Sequence, residues 1–400
     1  MTEPNQSFAY DNVMRQVLFE IPLPFGDAKL PLFGFGVMLL VCFVVCGWLA
    51  GRRAKAEGID PNDFWDIALW LFFGGVVGAR VTSLILDGEP GGFWTQVLQF
   101  FKIWEGGMVF YGCLPGGFIA YLFVRKRIIQ PKGIRLGQLA DIIAPMLGLG
   151  LFFGRMGCFL NGCCYGLPAD PTVTAAWQQC QFPTNSIPHH KLVEQGQQLG
   201  YDFLLAEATL PPQYRAKDER TVLLVTPGSA AESAGLKAGD IITKVGGQDT
   251  PTVFDVFKIL RSWPSREPLI LEVRRAADTA TLTFIPPPSR PLLPAQLYSS
   301  LDGLLLFLVL WSYYPFRRRE GAVFALMMLL HGISRFNLEQ LRSDNPPFLF
   351  GLTVSQNISI ALCLGGAALM YWVQRYGRIP GPPVPPANTG PSALALAPGQ

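Results

Sequence analysis

The chain predicts a polytopic α-helical membrane bundle of seven transmembrane helices, N-terminus outside and C-terminus inside, with an inserted extracytoplasmic α+β domain. Three observations predict it. Half of the 400 residues are hydrophobic and only 15% are charged, with a mean hydropathy of +0.29, which is too apolar for an ordinary soluble protein. Seven apolar runs reach the roughly 17–25 residues that cross a bilayer as a helix. Basic clusters recur after every second run, the pattern expected when Lys and Arg mark cytoplasmic loops.

The runs fall near 31–50, 67–86, 107–124, 138–157, 298–316, 321–338 and 353–374. Arg52, Arg53 and Lys55 follow the first, Arg125–Arg127 the third, Arg317–Arg319 the fifth, and Arg375 with Arg378 the seventh. A missed or spurious helix would break that parity. The 12% aromatics and 42 glycines suit such a bundle. Residues 1–29 have no basic region followed by a short apolar core and small-residue cleavage site, so the first run is expected to stay as a span. Cys42, Cys46 and Cys363 lie inside apolar runs, which argues against a secreted disulfide framework for the eight cysteines. None of them sits in a lipobox-like setting near the N-terminus, so the chain is not expected to be a lipoprotein itself. The net charge of +3 comes in short clusters beside apolar runs, which excludes a nucleic-acid-binding face. The tail after Arg378, rich in Pro, Gly and Ala, is expected to be disordered.

The same parity places residues 158–297 on the outer face, where a loop of that length must hold a domain. Its second half reads as strands at Thr221–Val225, Ile241–Val245, 268–275 and 279–285. A helix is expected over 252–263, where Val253, Val256, Phe257 and Leu260 recur at helical spacing. The run from Val225 through Pro227-Gly228 and Ala234-Gly235-Leu236 to Gly239-Asp240-Ile241 resembles the PDZ domains of bacterial envelope proteases. That resemblance, over about 215–286, implies binding of an extended peptide or C-terminal tail by strand addition. The bland reading is a spacer whose groove is unused. The chain thus divides into 1–166, the first half of the membrane domain with four spans; 167–214, an extracytoplasmic linker or head segment; 215–290, the PDZ-like domain; 291–377, the second half with three spans; and 378–400, the tail.

Four polar clusters lie at the outer ends of spans, where a lipid headgroup would sit. They are Gly78-Ala79-Arg80, the segment Trp104–Gly112 with Glu105 and Tyr111, the run Gly154–Gly166 with Arg155 and Asn161, and His331–Glu339. An arginine at membrane depth is costly unless it faces a polar cavity or an anion. His331, Arg335 and Glu339 stand four apart and share one helix face. Taken alone, an Arg335–Glu339 pair would merely neutralise buried charge. With Arg80 and Arg155 on the same side, several guanidiniums facing one cavity would repel unless an anion joined them, and a phosphodiester fits arginine's planar fork. Cys158, Cys163 and Cys164 lack the CxxC spacing and fourth ligand of a metal site, so no metal is expected and a disulfide or plain packing is preferred. His189-His190 reads as loop surface. No cofactor is called for.

These residues make the chain resemble the prolipoprotein diacylglyceryl transferase family over roughly 31–166 and 291–374. The matching pieces are Gly106-Gly107-Met108, Asp141 to Pro145 leading into Gly154-Arg155, Asn161 with Gly166, Pro294–Tyr298, and Gly332-Ile333 with Arg335-Phe336 and Glu339. The resemblance implies transfer of diacylglycerol from phosphatidylglycerol to the thiol of a prolipoprotein lipobox cysteine, at the bacterial cytoplasmic membrane. It implies that Arg155 binds the headgroup and that Arg335 is catalytically important; Arg80, Asn161, Gly166 and Glu339 are also expected to line the substrate site. The chain departs from the family at Tyr111, where a histidine is usual, at His331, where a tyrosine is usual, and at Cys158, Cys163 and Phe33. The first two changes look like exchanged partners, so His331 is expected to accept or orient the thiol proton with Tyr111 opposite. The rival reading is a transferase-fold protein of altered activity that binds lipid or peptides. An intramembrane metalloprotease, the other membrane protein with an external PDZ domain, needs H-E-x-x-H; the chain has three histidines, none in that arrangement.

Overall fold

A hairpin of β1 (Val17–Pro22) and β2 (Lys29–Phe33) leads directly into the first long helix, α1 (Gly34–Ala56). Three more follow: α2 (Pro61–Asp87), α3 (Phe110–Val124, continued by a π turn at Arg125–Ile129) and α4 (Leu136–Asn161). The computed structural model describes residues 17–22, 29–87, 100, 110–170, 172, 174–175, 178–206, 216, 218–264, 267–275, 278–342 and 347–381. After α4 come α5 (Ile187–Glu194), β3 (Phe203–Leu205), β4 (Val222–Val225), the single turn α6 (Ala230–Ser233), β5 (Ile241–Val245), β6 (Gln248–Asp249), α7 (Val253–Ser262), β7 (Leu269–Arg275) and β8 (Asp278–Phe284). The chain then returns through α8 (Ala295–Tyr313), α9 (Ala322–Glu339), a hairpin of β9 (Pro347–Leu349) and β10 (Leu352–Thr353), and α10 (Val354–Tyr376).

Five of these helices, α1, α2, α4, α8 and α10, are long and apolar enough to cross a membrane. The other two runs expected to span correspond to α3, whose α-helical part covers 15 of the described residues, and α9. The second half of α9 carries His331, Arg335, Asn337 and Glu339, and these polar residues dilute its 18-residue apolar run. The result is a multi-pass helical bundle, in keeping with the expected class. The expected tail beyond residue 381, and residues 101–109 with Glu105, lie outside the described residues.

The chain forms two units. One comprises Leu40–Leu151, Asp302–Ser334 and Ile358–Gln400, and its core is aliphatic, built on Ile67, Ile142, Leu310 and Val323. Here α2 and α3 approach along glycines four apart on both helices. A Cβ at Gly78 would stand 2.3 Å from the Gly112 carbonyl, and one at Gly116 would stand 2.2 Å from the Gly74 carbonyl. Such small-residue seams let transmembrane backbones touch where lipid removes the hydrophobic incentive to pack.

At the opposite end of these helices the polar groups are consumed by one another. The fully buried Asp141 accepts N–H groups of Gly321 (2.8 Å), Val323 (2.9 Å) and Phe324 (3.1 Å), filling the vacant donors at the start of α9. Arg317 lies 2.8 Å from Glu57 and 3.3 Å from Asp141, and Arg53 stacks on Trp311 and Tyr314 at 3.9 Å. Arg135 pairs with Glu320 and Lys132 with Asp63, while Arg319 donates to the Gly377 carbonyl. Helix ends bordering all four basic clusters therefore meet at one end of the bundle. Arg317, read from sequence as a loop marker, is also a buried structural charge.

The other unit comprises Met1–Leu39, Phe152–Leu301 and Arg335–Asn357. Its α+β part has a four-stranded antiparallel sheet, in the order β6-β5-β7-β8, and a separate β3–β4 pair. The strands expected at 241–245, 268–275 and 279–285 and the helix at 252–263 fall on β5, β7, β8 and α7. The alternating burial along β7 shows why: Leu269, Leu271 and Val273 all point into the core. Thr252 and Asp255 form a reciprocal cap at the start of α7. β3, inside the expected linker, joins the same core through Phe203 and Leu205. A smaller core of Phe159, Tyr165, Cys180, Phe182, Leu192 and Leu292 lies in the head segment.

His189 overturns its surface assignment. It sits in α5, 1% exposed, edge-on to Tyr201 at 6.3 Å. Burial, aided by the neighbouring His190, pushes its imidazole from 6.5 down to about 4. Its contribution to stability is complete above pH 6.5, where both folded and unfolded forms are neutral. It is lost as the pH falls toward about 4, because only the unfolded chain takes up the proton, at about 1.4 kcal/mol per pH unit. Thermal unfolding between pH 7 and 4 should show the wild-type melting temperature falling more steeply than that of His189→Phe. Parallel curves would rule this assignment out.

Candidate functional site

The last turns of α4 carry Arg155, and the helix stops at Asn161 because the chain turns left-handed at Gly162 (φ 72°). It then runs antiparallel to two distant segments. Gly166 bridges Arg342, and Pro168 and Cys180 both bridge Leu292. Gly166 is required at this crossing: its N–H donates to the Leu293 carbonyl at 3.0 Å, and a Cβ there would meet that oxygen at 2.5 Å and the Leu341 carbonyl at 2.9 Å. The structure thus gives Gly166, expected to line the substrate site, a backbone role that fixes where Arg342 lies.

On α9 the four-residue spacing of Arg335 and Glu339 produces an ion pair of 2.7 Å, the carboxylate wholly buried. Glu339 also accepts a hydrogen bond from Thr353 Oγ1 at 3.1 Å, and Arg335 Nη2 donates to Ser355 Oγ at 3.0 Å. The pair is not electrically self-contained. The positive charges of Arg155 and Arg342 both act on Arg335. Arg335 Nη1 is buried and has no hydrogen-bond partner among the described residues. A buried donor without an acceptor costs free energy, and an excess of like charge repels. One anion between the guanidiniums would relieve both.

Of the residues singled out from sequence, Arg155, Asn161, Gly166, Arg335 and Glu339 fall in this unit. Asn161 hydrogen-bonds the sulfur of Cys163 and lines a cavity of about 330 Å³ in the head segment. Arg80, Tyr111 and His331 belong to the other unit. Arg80 is buried and donates from Nε to the Phe100 carbonyl at 3.4 Å. Tyr111 is in the first turn of α3, and its side chain lies outside the described residues. His331 stands one turn before Arg335 on α9, and its carbonyl accepts from Ser334 Oγ at 3.3 Å, a hydroxyl that also reaches Asp302 at 2.9 Å.

Sequence reasoning missed Arg342, Thr353 and Ser355. Arg342 follows α9 in a stretch with no periodicity. The Thr353-x-x-Gln356 spacing was a readable signal, because it is a capping box: Thr353 Oγ1 accepts from the Gln356 N–H and Gln356 Oε1 accepts from the Thr353 N–H.

The fold and this cluster define a polytopic helical membrane protein with a cationic centre. The chain belongs to the prolipoprotein diacylglyceryl transferase family, whose model matches residues 22–372. It is 28% identical over 366 residues to a phosphatidylglycerol–prolipoprotein diacylglyceryl transferase of Rhodopirellula baltica, covering 84% of this chain and 71% of that one. It is 26% identical to the enzymes of that name from Ralstonia pickettii and Burkholderia cenocepacia, with 85% of this chain covered and 89% and 90% of theirs. Among solved structures, the HtrA3 PDZ domain bound to a phage-derived ligand is 26% identical over 21% of this chain and 79% of its own, with a TM-score of 0.17, too low to bear on the fold.

Gly166→Ala should cost about 1–3 kcal/mol by overpacking the crossing and lower activity with it, because Arg342 moves. Thermal unfolding together with a transfer assay tests this. An unchanged melting temperature with full activity would show that the backbone contact does not matter.

Proposed function

We infer that this protein transfers the diacylglyceryl group of phosphatidylglycerol to a prolipoprotein cysteine. Family membership and the names of the relatives support that activity, and the observation that carries the site is the buried Arg335–Glu339 pair with the charges of Arg155 and Arg342 acting on Arg335. The thiolate sulfur attacks the glyceryl carbon, forming a C–S bond. The C–O bond to phosphorus breaks, its electron pair leaves on the phosphate oxygen, and glycerol phosphate departs. The guanidiniums hold the phosphodiester and stabilise the charge that builds on its leaving oxygen, the strongest help that fixed cationic donors give to such a displacement. Glu339 keeps Arg335 in place and limits mutual repulsion in the lipid-free state.

The thiol must lose its proton before it can attack. His331 is the group we assign to accept or orient that proton, with Tyr111 as its partner, since imidazole titrates in the physiological range. Arg80 and Asn161 complete the headgroup-binding set. We propose seven spans with the N-terminus outside, an arrangement that would put these groups and the α+β insertion on the extracytoplasmic side of the bacterial inner membrane. There the insertion takes an extended peptide or C-terminal tail. The rival, a lipid- or peptide-binding protein of altered activity, draws on the unusual residues at Tyr111, His331, Cys158, Cys163 and Phe33.

Complementation of a strain depleted of its own transferase separates the two. Wild type and a deletion of residues 201–284 should rescue growth, while Arg155→Ala and Arg335→Ala should not. In vitro, loss of either guanidinium should lower turnover about 100–1,000-fold. His331→Ala should abolish transfer and Tyr111→Phe should weaken it. Failure of inserted, stable wild type to rescue would favour the binding protein, and full activity of His331→Ala would remove that residue from the mechanism.

A further inference from the structure

Beyond the anion cluster, the turn after α4 gathers three cysteines to which the proposed transfer assigns no role. The sulfurs of Cys158, Cys163 and Cys164 all lie within 4.8 Å of one another, and all three residues are half-buried. Two neighbours along an extended chain would point to opposite sides. Here Gly162 and Cys164 both adopt left-handed backbone (φ 72° and 59°), which folds the two adjacent sulfurs back toward Cys158. A non-glycine residue in that region is uncommon and is held there only by its surroundings. The turn is braced from several sides: Cys163 N–H donates to the Cys158 carbonyl at 3.1 Å, and Gln296 Nε2 donates to the Cys163 carbonyl at 2.9 Å.

We propose that Cys158, Cys163 and Cys164 form a three-thiolate site for one thiophilic cation of zinc's class, with the fourth coordination position open. With zinc–sulfur bonds of about 2.3 Å in a tetrahedron, sulfurs stand about 3.8 Å apart, so the observed triangle needs to contract by no more than about 1 Å. Among the described residues no fourth His, Cys, Asp or Glu joins the group. Three protein ligands with a position left for water or an incoming ligand is the pattern of open zinc sites. On binding, three S–H protons pass to solvent and three metal–sulfur bonds form, leaving a net charge of −1. The surroundings suit that charge. The positive charges of Arg342 and Arg155 act on Cys164, and the Asn161 side chain hydrogen-bonds the Cys163 sulfur, an outer contact of the kind that orients metal ligands.

No metal is expected from sequence because CxxC spacing and a fourth ligand are missing; the left-handed turn brings the sulfurs together without that spacing, and an open zinc site needs only three protein ligands. A disulfide accounts for the cluster less well. Adjacent Cα atoms across a trans peptide are about 3.8 Å apart, short of the roughly 4.4–6.8 Å that disulfides span, so Cys163 and Cys164 cannot readily pair with each other. Either remaining pairing leaves the third sulfur without a role.

The test uses the full chain, reduced, stripped with a chelator and held in detergent micelles. Cobalt(II) should bind at one equivalent with near-ultraviolet sulfur-to-metal absorption, and zinc should displace it. Zinc should protect three of the eight cysteines from alkylation, identified by peptide mass as Cys158, Cys163 and Cys164, a readout that requires no variant. Serine at any one of these three positions should weaken zinc binding by more than the roughly 10–100-fold that loss of an outer partner costs, while Cys113→Ser and Cys363→Ser should leave it unchanged. The proposal is overturned if the reduced chain binds no cobalt, if zinc protects other cysteines instead, or if Cys158 is isolated linked to Cys163 or Cys164 and no metal binds after reduction.

Discussion

The ion pair between Arg335 and Glu339 constrains everything around the cationic centre. A buried carboxylate costs several kcal/mol unless it is paired and hydrogen-bonded. The pair needs four-residue spacing, so α9 must stay helical as far as Glu339 despite the polar residues in its second half. The remaining partner comes from the chain's return. A two-residue turn at Phe350 and Gly351, both left-handed (φ 54° and 72°), closes β9 onto β10 and delivers Thr353 to the carboxylate. That threonine hydroxyl serves two ends at once: it accepts from Gln356 N–H to cap α10 and donates to Glu339 Oε1. Helix capping and charge burial are therefore one event, and the residue that starts α10 also sets the orientation of Arg335.

The two ends of the helices treat charge in opposite ways. Around Asp141, Arg317 and Glu57, carboxylates and cations pair closely and the vacant N–H groups of α9 are filled. Such an end needs no ligand. At Glu339, the charges of Arg155 and Arg342 act on its partner Arg335, whose buried Nη1 has no acceptor among the described residues. A buried donor left open costs free energy and persists only where the surrounding structure holds it, a common mark of a site that receives a ligand.

Much of the fold was legible because the bilayer sets helix length and the sheet sets a period of two. The runs at 31–50, 138–157 and 353–374 fall on α1, α4 and α10, and β5 ends where its alternation ends. Helix ends were less legible. α2 begins at Pro61, six residues before its apolar run, since Pro61-Asn62-Asp63 forms a polar first turn that hydropathy does not register. β3 escaped notice because three residues carry too little periodicity to read, and its pairing with β4 is a long-range fact. Arg335 and Glu339 were readable from helical spacing. Arg342 and the sulfur triangle were not, because both depend on irregular backbone, the bridge at Gly166 and the turn at Gly162–Cys164.

The α+β insertion is fused to the head segment rather than tethered to it. Asn185, itself left-handed (φ 65°), donates its amide to the Leu260 and Trp263 carbonyls at the end of α7 and so satisfies groups that the helix leaves open. Tyr201 bonds both Asn185 and the Leu260 carbonyl. On the exit side, Thr184 donates to the Pro287 carbonyl, Ser289 accepts from Phe182 N–H, and Gln198 donates to the Pro288 carbonyl. Pro286–Leu292 thus belongs mechanically to the head, because its hydrogen bonds run to 182–198 and its Leu292 bridges Pro168 and Cys180. The Pro168 bridge lies two residues from Gly166, whose own crossing fixes Arg342. Force or order in the insertion therefore has a continuous covalent and hydrogen-bonded route to the rim of the cationic cluster.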